Sequence, residues 1–295
     1  SVVKSFLKSG GSMKFFIIVL FIFALTFINA QEINWKKQED AQPAVLNLFH
    51  SINAVNLPTA ETLQRNEFEY EISHRFNKTV DADKAYFGID GPATIRMALS
   101  YAVTNDLMVT LGRSNQNDNI DFRIKYQAFH FAHETFPVLL ALRAGGAWNT
   151  EVYEKVTNEE RELTDTKNFQ YYGQAIFNTM IAKKVGIGIV PSYLYNSHIY
   201  CEDPEYSFTM GGYIQYYLSA MFSFFVETNA TVTGWREKYN PIAIGVEIET
   251  GGHFFKLFLG NSYAMNPSQY LAGADLYMED GEWRLGFNIT RILKF

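Results

Sequence analysis

Residues 119–129 read NIDFRIKYQAF, and this two-residue alternation, repeated along most of the chain, limits its fold more than any other feature. Ile120, Phe122, Ile124 and Tyr126 hold one parity; Asp121, Arg123, Lys125 and Gln127 hold the other. Successive side chains of an extended strand point to opposite faces, so each such run presents one apolar and one polar face. The same period governs FEYEISHRF (68–76), ATIRMALSYAV (93–103) and PIAIGVEIET (241–250). Further strands are expected over 107–114, 134–146, 169–181, 185–195, 206–216, 219–228, 253–260 and 283–295, about twelve in all. Strands of ordinary globular proteins average about 5–6 residues. Many of these are longer and match the roughly 9–11 residues that a tilted strand needs to cross a bilayer.

The connections sort by length. Thr104–Asp106, a link near His133, Lys183-Lys184, the residues around Leu218 and Gly251-Gly252 are short. The intervening connections, 77–91, 147–168, 196–205, 229–240 and 261–282, are long, with 114–119 as the exception. Short turns at one end and long loops at the other are the pattern of an up-and-down barrel in an outer membrane. A soluble sandwich has no reason to sort its loops in this way.

Alternation alone does not choose between a soluble and a membrane protein, because a soluble sheet alternates too. Composition adds to the argument. Aromatic residues make up 16% of the chain and charged residues 19%, the latter below the roughly 25% usual in soluble proteins. The polar parities mix charges with small residues, as a crowded lumen requires. Within a bilayer every backbone N–H and C=O must be satisfied by the protein, so a closed barrel is the one β solution. The expected fold is therefore all-β: a single up-and-down antiparallel transmembrane barrel over 68–295. A soluble lipocalin-like container is the competing fold. The net charge of −6 gives no reason to expect nucleic acid. The one cysteine, Cys201, cannot form an internal disulfide or a cysteine-based metal site.

From Met13 the chain reads MKFFIIVLFIFALTFINA: Lys14, an apolar run over 15–28, and Ala30 at a cleavage position. This is the layout of a secretory signal peptide, with 1–12 read as upstream residues, so 1–30 is set apart from the mature chain. Residues 31–67 form an N-terminal extension, expected to be periplasmic or inserted in the lumen. At the other end, WRLGFNITRILKF (283–295) resembles the closing strand of outer-membrane barrels, whose final aromatic residue, here Phe295, is read by the assembly machinery. Arg291 falls on the apolar parity, which suggests a β-bulge or an arginine reaching toward headgroups.

Several stretches together resemble a family of bacterial outer-membrane β-barrels known only as a domain of unknown function. They are EISHRF (71–76), YFGIDGPATIRMALSYAVTNDLMVTLGRS (86–114), IVPSY (189–193), AIGVEIETGGHFFKLFLGNS (243–262) and GFNITR (286–291). The likeness runs from about Leu48 to the end. It implies one barrel in the cell outer membrane of a Gram-negative bacterium and carries no catalytic or binding residues across.

The lumen-lining candidates are Arg96, Arg123, Lys125, Arg143, Glu227, Glu247, Glu249, Lys256 and Arg284. They could select solutes in a pore, or pair with one another and fill a narrow barrel; about twelve strands lie between filled eight-strand and open sixteen-strand barrels. Gly251, Gly252 and His253 read as a periplasmic hairpin turn. Lipid hydrolysis would need His74, Ser100, Asn178 and Ser219 to converge, but no nucleophile elbow is present. No H-x-x-x-H or H-E-x-x-H spacing occurs, and His130 and His133, which could reach one metal, read first as turn residues, so no metal or other cofactor is expected. The loop 196–207, with Cys201, Glu202, Asp203 and Glu205, reads as a solvated acidic loop, with a calcium or partner contact as the rival reading. Tyr70, Tyr101, Tyr126, Tyr171, Tyr195 and Trp283 suit interfacial girdles. The expected function is a porin-like channel for small solutes, not an enzyme. The alternative is a non-conducting scaffold that holds a periplasmic or surface partner, such as a protein of an exported redox system.

Overall fold

A computed structural model of the chain describes residues 47–151 and 161–294. The chain divides into two units, 1–45 and 46–295, and all described residues belong to the second. The signal peptide, the upstream residues and Phe295 lie outside the described residues.

Twelve antiparallel strands close into a barrel. They are β1 (Glu67–Phe76), β2 (Ala93–Ala102), β3 (Leu107–Ser114), β4 (Asn119–Phe131), β5 (Val138–Asn149), β6 (Phe169–Ile181), β7 (Val185–Tyr195), β8 (Tyr206–Tyr217), β9 (Phe222–Gly234), β10 (Ile242–Glu249), β11 (His253–Gly260) and β12 (Arg284–Lys294). Each strand pairs with its sequence neighbours, and β1 closes on β12 from Glu67↔Lys294 to Arg75↔Gly286. Closure leaves no unpaired sheet edge. Among the described residues one four-residue α-helix occurs, α1 (Pro267–Tyr270), in the β11–β12 connection.

The period-two pattern decides which face each side chain takes. On β2, Ile95, Met97 and Leu99 are exposed on the outside while Thr94, Arg96, Ala98 and Ser100 are buried inside. Leu111, Ile214 and Phe122 are 58%, 53% and 49% exposed. An apolar band of this extent around a closed cylinder is incompatible with water as its solvent and fits lipid. The container alternative requires the opposite sense, with apolar residues inside, and the structure excludes it.

Tyrosines border the band at both ends. Tyr70, Tyr101 and Tyr126 stand near the short turns, while Tyr171 and Tyr195 stack at 6.4 Å beside the long loops. Trp283 is half-buried just before β12.

Two expected strands start later than their sequence suggests, because the preceding residues are spent on turns. His133 Nδ1 accepts from the N–H groups of Thr135 and Phe136, so β5 begins at Val138. Ser219 Oγ accepts from Met221 and Phe222, so β9 begins at Phe222. No bulge occurs at Arg291: the β12 ladders on both sides keep register through it, and it faces outward opposite Tyr70 and His253. Irregularities fall instead at Gln127/Phe129 and Phe208/Thr209.

Candidate functional site

The inner wall carries the charges. Arg96, Arg123, Lys125, Arg143, Glu227, Glu247, Lys256 and Arg284 are all buried and face inward. Arg96 lies 3.1 Å from Glu71 and 3.0 Å from Asp121, and Arg123 is 3.9 Å from each of the same carboxylates. Arg143 Nε donates to Gln174 Oε1 at 2.7 Å. Lys256 pairs with Glu247 at 3.1 Å, and Arg284 grips both oxygens of Asp275 at 2.7 Å. Glu249 differs: it is half-buried and accepts from the Gly252 N–H at 3.2 Å, so it helps to close the hairpin turn. In that turn Gly251 and Gly252 have φ of 62° and 91°, a region natural to glycine, and His253 C=O accepts from the Thr250 N–H.

The lumen these charges line is occupied. Residues 47–66 enter from the short-turn end, fold back on themselves and leave at the same end. The Thr59 N–H donates to Ile52 C=O at 3.0 Å and the Ala54 N–H to Leu57 C=O at 2.8 Å, which makes a narrow loop. Thr62 and Arg65 tie its exit to Asn105 in the β2–β3 turn.

The wall grips this plug mainly by its backbone. Glu227 accepts from the N–H groups of Val55 (2.8 Å), Asn56 (3.0 Å) and Leu57 (3.0 Å) at the apex, and from the Asn56 side-chain amide. Lys125 Nζ donates to Ile52 C=O and Thr59 C=O at 3.2 and 3.1 Å. Lys256 donates to the Ser51 hydroxyl at 2.6 Å and to Asn53 C=O. Arg75, Asn178, Tyr213 and Asn288 add bonds to Asn56, Ala60, Pro58 and Val55, and Gln127 Nε2 donates to Ala60 C=O at 2.9 Å.

Within the plug, Glu61 accepts from the N–H groups of Leu48 and Phe49 at 2.6 and 3.0 Å. Burial pushes its carboxyl up to about 7, against the opposing pull of those two N–H groups and Lys125. Glycine makes room for the plug: a Cβ on Gly186 would stand 2.6 Å from the Phe49 ring, and one on Gly211 would stand 2.8 Å from Leu57.

The long-loop end is filled as well. The β11–β12 connection folds inward, and its Asn266 bonds Arg96 and Asn119. Gln269 Nε2 donates to Gln116 C=O at 2.8 Å. Tyr270 of α1 shares one buried apolar cluster with Leu48, Phe49, Leu57 and Ala60 of the plug. The two insertions therefore meet inside the barrel.

The remaining candidates do not converge. His74 is on the outer face, stacked on Phe287 at 4.9 Å. Ser100 and Asn178 face inward, bonded to Thr110 and Ala60, and Ser219 belongs to a turn. His133 caps a turn, and among the described residues no cluster of metal-ligating side chains occurs. Cys201 Sγ lies 2.7 Å from His198 Nδ1, and burial is the first cause that raises its thiol pKa. Glu202, Asp203 and Glu205 are exposed. The lumen network includes Glu71, Arg75 and Asp121, which were not among the candidates. All three sit on the polar parity of strands the sequence does show, and that signal could have found them. Glu61 and Asn266 lie in irregular segments and carry no such signal.

A family model described as a membrane bound beta barrel domain (DUF5777) matches residues 49–293. No curated protein sequence matches the chain. Solved barrels align over most of the strands. An outer-membrane channel from Pseudomonas putida F1 shares 13% identity at a TM-score of 0.47, covering 79% of this chain and 98% of its own. The NanC porin shares 9% at 0.46, covering 77% and 99%. Omp33 from Acinetobacter baumannii shares 9% at 0.40, covering 77% and 98%.

Proposed function

Since the chain belongs to this family of membrane-bound β-barrel domains and is an outer-membrane barrel, we propose that it is a channel for small polar solutes, held shut by its own residues 47–66 together with the inward-folded β11–β12 connection. The observation that carries this reading is the kind of contact between plug and wall. A permanently filled barrel gains nothing from buried charge, since apolar side chains of similar shape fill space as well or better. Here the wall beneath the plug carries Glu227, Lys125, Lys256 and Glu247, and these hold mostly backbone groups and small polar side chains of the plug. Such hydrogen bonds exchange with water at small net cost. With the plug withdrawn and the β11–β12 connection moved aside, the same groups line a hydrated and charged passage.

The second reading is a non-conducting scaffold that holds a periplasmic or surface partner. The inward-folded β11–β12 connection favours it, because that segment bonds the inner wall at Arg96 and packs against the plug from the long-loop end.

Planar bilayers separate the two. The full chain is expected to be silent or to open rarely. A variant lacking 48–63, with 264–272 replaced by a short Gly/Ser link, is expected to conduct in discrete steps. Neutralising Arg123 or Glu247 in that background should change its ion selectivity. If the variant is folded yet electrically silent, the channel reading fails and the scaffold stands.

A further inference from the structure

At the long-loop end, outside the plug and its anchors, a cleft of about 140 Å³ opens to solvent between the β3–β4, β7–β8, β9–β10 and β11–β12 connections. Its lining holds three buried oxygens with no partner in the protein: Gln116 Oε1, Ser197 Oγ and Gln269 Oε1. Ser197 is 3% and Gln269 8% exposed. A buried polar atom left unpaired is costly, so three around one cleft call for a ligand or ordered water that supplies donors. Two of the three are amide oxygens, which only accept.

Aromatic rings stand beside them. Trp235 is held by His198, stacked at 4.4 Å, while Tyr200 and Tyr263 line the same space. Among the described residues, the arginines near the cleft already have partners: Arg284 on Asp275, Arg161 on the carbonyls of Ile199 and Cys201, and Arg236 on the Asn240 side chain. The Glu237 carboxylate remains exposed on the rim. Among the described residues an anion therefore meets a negative partner there and no unpaired arginine.

We propose that this cleft binds a neutral saccharide. Ring hydroxyls donate to Gln116, Gln269 and Ser197, and the apolar face of a sugar ring lies on an aromatic side chain. A few fixed polar groups set among aromatic rings are the make-up of small-molecule sites generally. The assignment does not depend on the channel reading, because the cleft is formed with the plug in place.

The test is isothermal titration of the full chain in detergent with glucose, galactose, mannose, N-acetylglucosamine and maltose, and with glucuronate as the anionic control. At least one neutral sugar should bind saturably with a millimolar or tighter Kd, and glucuronate should bind at least about tenfold more weakly. Gln269→Ala and Tyr200→Ala should each weaken binding about tenfold, the scale of one lost contact. Tyr200 is exposed, so its variant remains informative should Gln269→Ala disturb α1. The proposal is overturned if no neutral sugar binds, if glucuronate binds as well, or if neither substitution changes the affinity.

Discussion

Glu227 carries more of the plug than any other side chain, because its carboxylate satisfies three consecutive backbone N–H groups that the barrel interior hides from water. Its removal leaves those donors unpaired, and each buried orphan costs about 1–3 kcal/mol. Glu227→Ala is therefore expected to weaken plug docking by on the order of 3 kcal/mol while β9 keeps its ladder. Limited proteolysis at 50–60 reads this directly: faster cleavage there with an intact barrel is the expected result, and unchanged protection contradicts it. Glu61 supplies a pH dependence. Its carboxyl, raised to about 7 by burial, binds more protons docked than released. Its stabilisation is thus full below the ordinary carboxylate pKa of 4.5 and lost as pH rises through 7. Plug protection should fall from pH 5 to pH 8, and Glu61→Gln should flatten that profile; a profile equally steep in the variant assigns the effect to another group.

Among the elements, the strands owe their inward and outward faces to alternation, but the plug owes its seat to what the strands omit. Gly186 at the start of β7 and Gly211 on β8 leave space that Phe49 and Leu57 fill. Gly186→Val should drive Phe49 out of its position and destabilise the docked plug by about 1–3 kcal/mol, an overpacking cost. The signature is increased solvent access of a reporter placed at the adjacent buried residue 48, with the folded barrel still resistant to detergent. A reporter that stays buried would show that the ring has room to turn aside. The β12 strand makes a related point. Arg291 broke the sequence pattern and suggested a bulge, yet the ladders run through it unbroken. A long side chain at the end of a strand reaches the interface without any help from the backbone.

On the scale of the whole molecule, the barrel is closed twice over, by the plug from the short-turn end and by the β11–β12 connection from the long-loop end. Deletion of 48–63 alone is expected to give smaller conductance steps than deletion combined with shortening of 264–272, because Asn266 and Gln269 still bridge β2 and the β3–β4 connection across the outer half. Equal steps in the two variants would show that the inward loop moves aside on its own.

Strand number, strand order and the facing of Arg96, Arg123 and Lys125 were legible in the sequence, because a strand's side-chain period is a local property that each residue states for itself. The same holds for Gly251-Gly252, where two positive φ values need two glycines. What occupies the lumen was not legible. Residues 47–66 have no period, and their conformation exists only because Glu227, Lys125 and Lys256, distant in sequence, converge on their backbone. The partners of the lumen charges were hidden for the same reason: alternation shows which way Arg96 points, but the register of β2 and β4 across β3 brings it to Asp121, and the inward fold of the β11–β12 connection brings it to Asn266. A local repeat determined the wall; contacts across 172 residues between Val55 and Glu227 and their like decided whether the wall encloses water or protein.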